Sequence, residues 1–134
     1  MATALIHTMI RVLDEQRSIA FYEALGFREE GRQRVGGDTA TVIFLALPGD
    51  GARLELTLND GRTEPYELGS GYGHIAVTVD DMDGELARLA EAGIAPEREP
   101  YAPYPGGPQI CFVRDPDGYR IEMLSRNPEH ELEG

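Results

Sequence analysis

Two histidines and two glutamates in this 134-residue chain have the types and the spacing to do chemistry together: His7 with Glu55, and His74 with Glu122. Forty-eight residues separate the members of each pair, and sixty-seven separate one pair from the other. Neutral imidazole nitrogens and carboxylate oxygens form a donor set for a divalent cation such as Zn2+, Ni2+, Co2+ or Mn2+. The set holds no thiolate, which argues against a closed structural zinc site. Four protein donors leave positions open for water or substrate on an octahedral ion. A lone histidine or glutamate on a strand is ordinarily a surface residue. The duplicated spacing singles these four out.

The duplication extends beyond the four. A shift of sixty-seven residues lays the chain on itself without a gap. Asp14 falls on Asp81, Gly26 on Gly93, and the run Arg53 to Leu56 on Arg120 to Met123. Two such units are too few for a solenoid and point instead to a duplicated domain. The expected units are 1–67 and 68–134, with an acidic tail from about residue 127.

Each unit reads as βαβββ. Short β-rich runs cover 5–12 and 73–79. Asp14 and Asp81 follow as helix N-caps. Apolar residues recur at helical spacing, at Ile19, Tyr22 and Leu25 and at Leu86, Leu89 and Ala90, and Gly26 and Gly93 close the helices. Three strands follow in the first unit, at about 28–35, 39–47 and 53–58. The second unit gives about 96–100, 110–114 and 120–124, with a Pro- and Gly-rich loop over 101–109. The fold class is α+β: two tandem βαβββ units forming a curved mixed sheet with helices on one side. Strand side chains alternate faces. His7 and Glu55 therefore oppose the apolar faces of their strands, as do His74 and Glu122.

Composition excludes several classes. The net charge of −12, with no lysine and scattered arginines, leaves no basic patch for nucleic acid. No run approaches the roughly 20 apolar residues of a membrane-spanning helix. The first residues lack the basic and apolar regions of a signal peptide, so the cytoplasm is the default compartment. The one cysteine, Cys111, lies in an apolar run and reads as a small buried hydrophobe. His130 and Glu131 lack the second histidine of a zinc-protease motif. The Gly-rich stretch 69–73 precedes a strand, so it reads as a linker rather than a phosphate loop. Residues 115–118 read as a turn, and Phe21 and Tyr22 as core.

The runs HTMIRV (7–12), ELTLN (55–59), YELGSGYGHIA (66–76) and FVRDPDGYRIE (112–122) resemble glyoxalase I, lactoylglutathione lyase, within the vicinal-oxygen-chelate superfamily, along nearly the whole chain. The 112–122 pattern recurs across that superfamily; the ligand order His, Glu, His, Glu is more specific. The resemblance implies a homodimer with metal sites at the subunit interface, where His7 and Glu55 of one chain meet His74 and Glu122 of the other. It implies one divalent ion per site, Ni2+ or Co2+ before Zn2+, and glutathione or another thiol as co-substrate. The implied reaction isomerises the hemithioacetal of methylglyoxal to S-lactoylglutathione through a metal-bound enediolate. Glu122 is the implied base, with Glu55 its counterpart on the other substrate face. Arg11 and Asn59 match positions that contact the thiol, Arg11 through a carboxylate. This chain departs from the pattern at Ser70, where some members have arginine, and over 101–108, which lack the family's basic residue. The turn over 21–26 is also a residue shorter than usual. Another thiol, or another vicinal-oxygen substrate, is therefore an alternative. So are an epimerase or thiol transferase of the same superfamily, and a ligand-sequestering protein of the same fold.

Overall fold

A parallel pairing of two strands distant in sequence organises each half of the molecule. The computed structural model describes residues 2–126, so the expected acidic tail and the residues His130 and Glu131 lie outside the described residues. The chain divides between Glu67 and Leu68 into two compact units. The first contains β1 (His7–Arg11), α1 (Glu15–Ala24), β2 (Arg28–Val35), β3 (Ala40–Ala46) and β4 (Arg53–Asn59). Its sheet has the order β1-β4-β3-β2, with β1 parallel to β4 and the other neighbours antiparallel. The second contains β5 (Ile75–Val79), α2 (Met82–Glu91), β6 (Ile110–Arg114) and β7 (Arg120–Ser125), in the sheet order β5-β7-β6. There β5 is parallel to β7 and β6 antiparallel to it. The chain is thus α+β with mixed sheets, one in each unit.

The helices begin and end as their sequences dictate. Asp14 accepts a hydrogen bond from the Arg17 N–H at 3.0 Å, and Asp81 one from the Gly84 N–H at 3.2 Å, so each aspartate satisfies a donor of the first turn. Gly26 and Gly93 then turn into the left-handed region, at φ 106° and 81°. Phe27 and Ile94 return their N–H groups to the carbonyls of Tyr22 and Leu89, closing two Schellman motifs. The Tyr22 and Phe27 rings meet edge-on at 5.6 Å, the apolar contact that accompanies this cap.

Tyr22, Leu25 and Leu89 are buried as the apolar spacing predicts, but the buried faces differ from it at their edges. In α1 the buried residues are Ser18, Phe21 and Tyr22, whereas Ile19 is half-buried. In α2 Met82 and Leu89 are buried, Leu86 is half-buried and Ala90 exposed. The expected strand over 96–100 does not form either. Prolines at 96 and 100 bound it, and a proline has no N–H to give a ladder. What survives is an N–H of Glu97 donating to Phe112, and an isolated bridge between Tyr101 and Ile110. One element of the repeat persists across this loss. Glu30 pairs with Arg53 and Glu97 with Arg120, at positions sixty-seven residues apart.

Register fixes which side chains enter the core. Ile10 on β1 faces Leu56 on β4, which faces Ile43 on β3, and all three are buried. In the second unit Val77, Met123 and Cys111 stand in the same relation. Cys111 and Met123 have no exposed surface, so the cysteine is the core residue its sequence indicated. Burial pushes its thiol above the ordinary range, which disfavours the reactive thiolate.

Leu56 has 0% exposure at the centre of the first sheet. Truncating it removes buried methyl groups and leaves a cavity. Leu56→Ala is expected to lower the unfolding free energy by about 2–5 kcal/mol, read from a denaturant titration.

Candidate metal centre

Each parallel strand pair delivers one histidine and one glutamate to the face opposite the core. In the first unit, Met9 is the direct neighbour of Glu55, and His7 lies two residues before Met9 on the same face of β1. His7 Nε2 comes within 3.4 Å of Glu55 Oε1. In the second unit Ala76 is the neighbour of Glu122, and His74 directly precedes β5. His74 Nε2 comes within 3.3 Å of Glu122 Oε1. The surroundings match as well. The histidine side chains are 35% and 36% exposed, and the glutamates 13% and 15%. Each imidazole lies edge-on to a phenylalanine, His7 on Phe44 at 5.9 Å and His74 on Phe112 at 5.1 Å. Those phenylalanines are the direct neighbours of the glutamates on the antiparallel side, Phe44 of Glu55 and Phe112 of Glu122.

This detail corrects the gapless repeat. Phe44 and Phe112 occupy one structural position, yet the shift of sixty-seven would match Phe44 with Cys111. The connection from β3 to β4 is one residue longer than that from β6 to β7. The shift of sixty-seven therefore holds at the histidines and glutamates, and between them it is broken by two compensating one-residue differences, an extra residue ahead of Phe112 and a missing one at the turn between β6 and β7.

The distances suit donors that share a third atom. A charge-assisted N–H to carboxylate hydrogen bond is roughly 2.7–2.9 Å long. Two donors each about 2.1 Å from one cation lie about 3.0–3.4 Å apart when their angle is between 90° and 109°. The observed separations match the second geometry. Each unit by itself supplies one ring nitrogen and one carboxylate, which is half of the expected donor set. Among the described residues no three of His, Cys, Asp and Glu come together within the chain. The structure thus brings His7 to Glu55 and His74 to Glu122.

The pairs differ in what stands beside them. Thr57 lies two residues beyond Glu55 on the same face of β4, and its hydroxyl donates to Glu55 Oε2 at 2.9 Å. Arg11 is the strand neighbour of Thr57 on β1. Asn59 ends β4 on that face, and its Oδ1 accepts from the Tyr66 hydroxyl at 3.1 Å. The Arg62 guanidinium stacks 4.2 Å over the Tyr66 ring and donates to the carbonyls of Glu64 and Pro65. The amide of Asn59 is thereby oriented with its NH2 group turned away from Tyr66. The corresponding positions of the second unit are Thr78, Leu124 and Arg126. Arg126 donates to Asp80 at 2.9 Å and to the Thr78 hydroxyl at 3.1 Å. Sequence spacing did not single out Thr57, Tyr66 or Arg62. Thr57 could have been found from its place on the glutamate's face; the Tyr66–Asn59 contact needed the fold.

Comparison with known proteins places this geometry. Residues 4–123 match the model of the Glyoxalase/Bleomycin resistance protein/Dioxygenase superfamily. The chain is 41% identical over 126 residues to the lactoylglutathione lyase of Salmonella typhimurium, covering 90% of each chain. Among solved structures it is similar to the trypanothione-dependent glyoxalase I of Leishmania major, with TM-score 0.78 and 38% identity, covering 92% of this chain and 87% of that one. It is also similar to glyoxalase I of Zea mays, with TM-score 0.82 and 32% identity. That match covers 91% of this chain but spans only 44% of the maize chain.

A divalent ion held by these pairs stabilises the folded state by mass action. Ni2+ at about a hundredfold over its dissociation constant is expected to add about 2.7 kcal/mol, seen as a rise in melting temperature. His7→Ala and His74→Ala should each abolish most of that rise.

Proposed function

Because the chain belongs to the Glyoxalase/Bleomycin resistance protein/Dioxygenase superfamily, we propose that it is a metal-dependent lyase of the glyoxalase I type. It isomerises the hemithioacetal of methylglyoxal and a low-molecular-weight thiol, glutathione or a similar one, to the S-lactoyl thioester. The observation that carries the reading is the duplicated His–Glu pair, 3.4 Å in one unit and 3.3 Å in the other. Sequestering a ligand requires no such pair, so its presence twice favours an enzyme. Lactoylglutathione lyases among the relatives support the reaction class. The proposed site is completed in a homodimer, where His7 and Glu55 of one subunit face the partner subunit's His74 and Glu122. The cytoplasm, where both thiol and aldehyde are small soluble metabolites, is the proposed setting.

The donor set of two imidazoles and two carboxylates fits a divalent cation, Ni2+ or Co2+ before Zn2+. Such an ion would supply electrostatic stabilisation to the two vicinal oxygens as negative charge develops on them. The rest falls to side chains of this chain. Glu122 accepts the proton from the carbon bearing sulfur and returns it to the neighbouring carbon. The hydroxyl proton of the first carbon ends on the oxygen of the second, so the product is an isomer and nothing is oxidised overall. Glu55, its counterpart in the repeat, stands on the other side of the substrate. Arg11 pairs with a carboxylate of the thiol, and Asn59 donates from the NH2 group that Tyr66 leaves outward. The absence of a cation from 101–108 and at Ser70 leaves the rest of the thiol to uncharged contacts, so several thiols belong in the assay.

Glu122→Gln is expected to lower turnover by about 10²–10⁴-fold, measured as thioester formation from preformed hemithioacetal with added Ni2+. A variant with unreduced turnover would remove Glu122 from the proposed role.

A further inference from the structure

The two His–Glu pairs are alike in distance, exposure and aromatic support, but of their two glutamates only Glu55 accepts from a side-chain hydroxyl among the described residues. Thr57 is buried, with 7% exposure, so its hydroxyl has little freedom. Threonine is also stiff at χ1. The hydroxyl occupies Glu55 Oε2 at 2.9 Å and leaves Oε1 turned to His7. At the repeat-related position of the second unit stands Leu124, which has no hydrogen to donate. The two arginines that share the face of Glu122 are committed elsewhere, Arg120 to Glu97 and Arg126 to Asp80.

We infer that Thr57 is a positioning residue that fixes Glu55 in one orientation toward a bound ion, a hydroxyl support that Leu124 does not offer Glu122. The inference rests on the metal-dependent reading above and adds to it the residue that orients one of the ligands. A ligand must hold one orientation, and hydrogen bonds from neighbours to ligating carboxylates supply that orientation. The repeat supplies that hydroxyl at Thr57 and an aliphatic side chain at Leu124, at otherwise equivalent positions.

The test is a chelator-competition titration of the full-length protein with Ni2+, run beside a melting curve for each variant. Thr57→Val, which keeps the shape and removes the hydroxyl, should weaken Ni2+ binding by about 10- to 100-fold. Thr57→Ser should bind as the parent does. Glu55→Gln should cost more affinity than Glu122→Gln, and the order should reverse when both changes are placed in the double variant Thr57→Val with Leu124→Thr. Equal Ni2+ affinity in the parent and Thr57→Val, or equal losses for the two glutamine variants, would overturn the inference and leave the lyase reading standing. A parent protein that binds no Ni2+, Co2+ or Zn2+ would overturn both.

Discussion

Parallel pairing of the first strand of each unit with its last is the constraint on which everything else depends. It joins residues about forty-six apart, Met9 with Glu55 and Ala76 with Glu122. A strand has a period of two, so a slip of one residue would turn each glutamate into the core and Leu56 or Met123 out of it. The apolar face therefore enforces the polar one. Leu54, Leu56, Ile121 and Met123 are all buried, and their burial is what holds Glu55 and Glu122 beside their histidines. Hydrophobic packing sets the address, and the ionisable groups occupy the face that packing leaves over.

Duplication then does something that a single unit does not. Each unit offers two donors with the same separation, the same aromatic wall and nearly the same exposure. Two pairs of one design need only one folding solution. Their differences lie one step away, where Thr57 answers to Leu124, Arg11 to Thr78 and Asn59 to Arg126. In the first unit Tyr66 holds Asn59, and in the second Arg126 is tied to Asp80. The shared frame repeats the His–Glu pair, and the altered neighbours give each pair different surroundings.

Much of this was legible from the residues. The equal spacing of His7–Glu55 and His74–Glu122, with alternation along the strands, was enough to place each pair on a common face. Asp14, Asp81, Gly26 and Gly93 marked both helices at both ends. The strand expected over 96–100 was not there, because propensity alone does not count the N–H groups that Pro96 and Pro100 lack. The face of α1 was found at Tyr22 and Leu25 but not at Ser18, which is buried although periodicity scores it as polar. The one-residue difference between the turns was invisible to the shift because the extra residue ahead of Phe112 cancels it. Thr57 on Glu55, and Tyr66 on Asn59, are contacts between side chains, and only the register and the chain's return after β4 bring them together.

The most direct measurement is anomalous diffraction from crystals of the protein loaded with Ni2+ or Zn2+. The expected result is one ion about 2.0–2.2 Å from His7 Nε2, Glu55 Oε1, His74 Nε2 and Glu122 Oε1, with the two pairs drawn from different subunits of a dimer. An ion held by other side chains, or by one His–Glu pair with the second pair remote from it, would contradict the shared site.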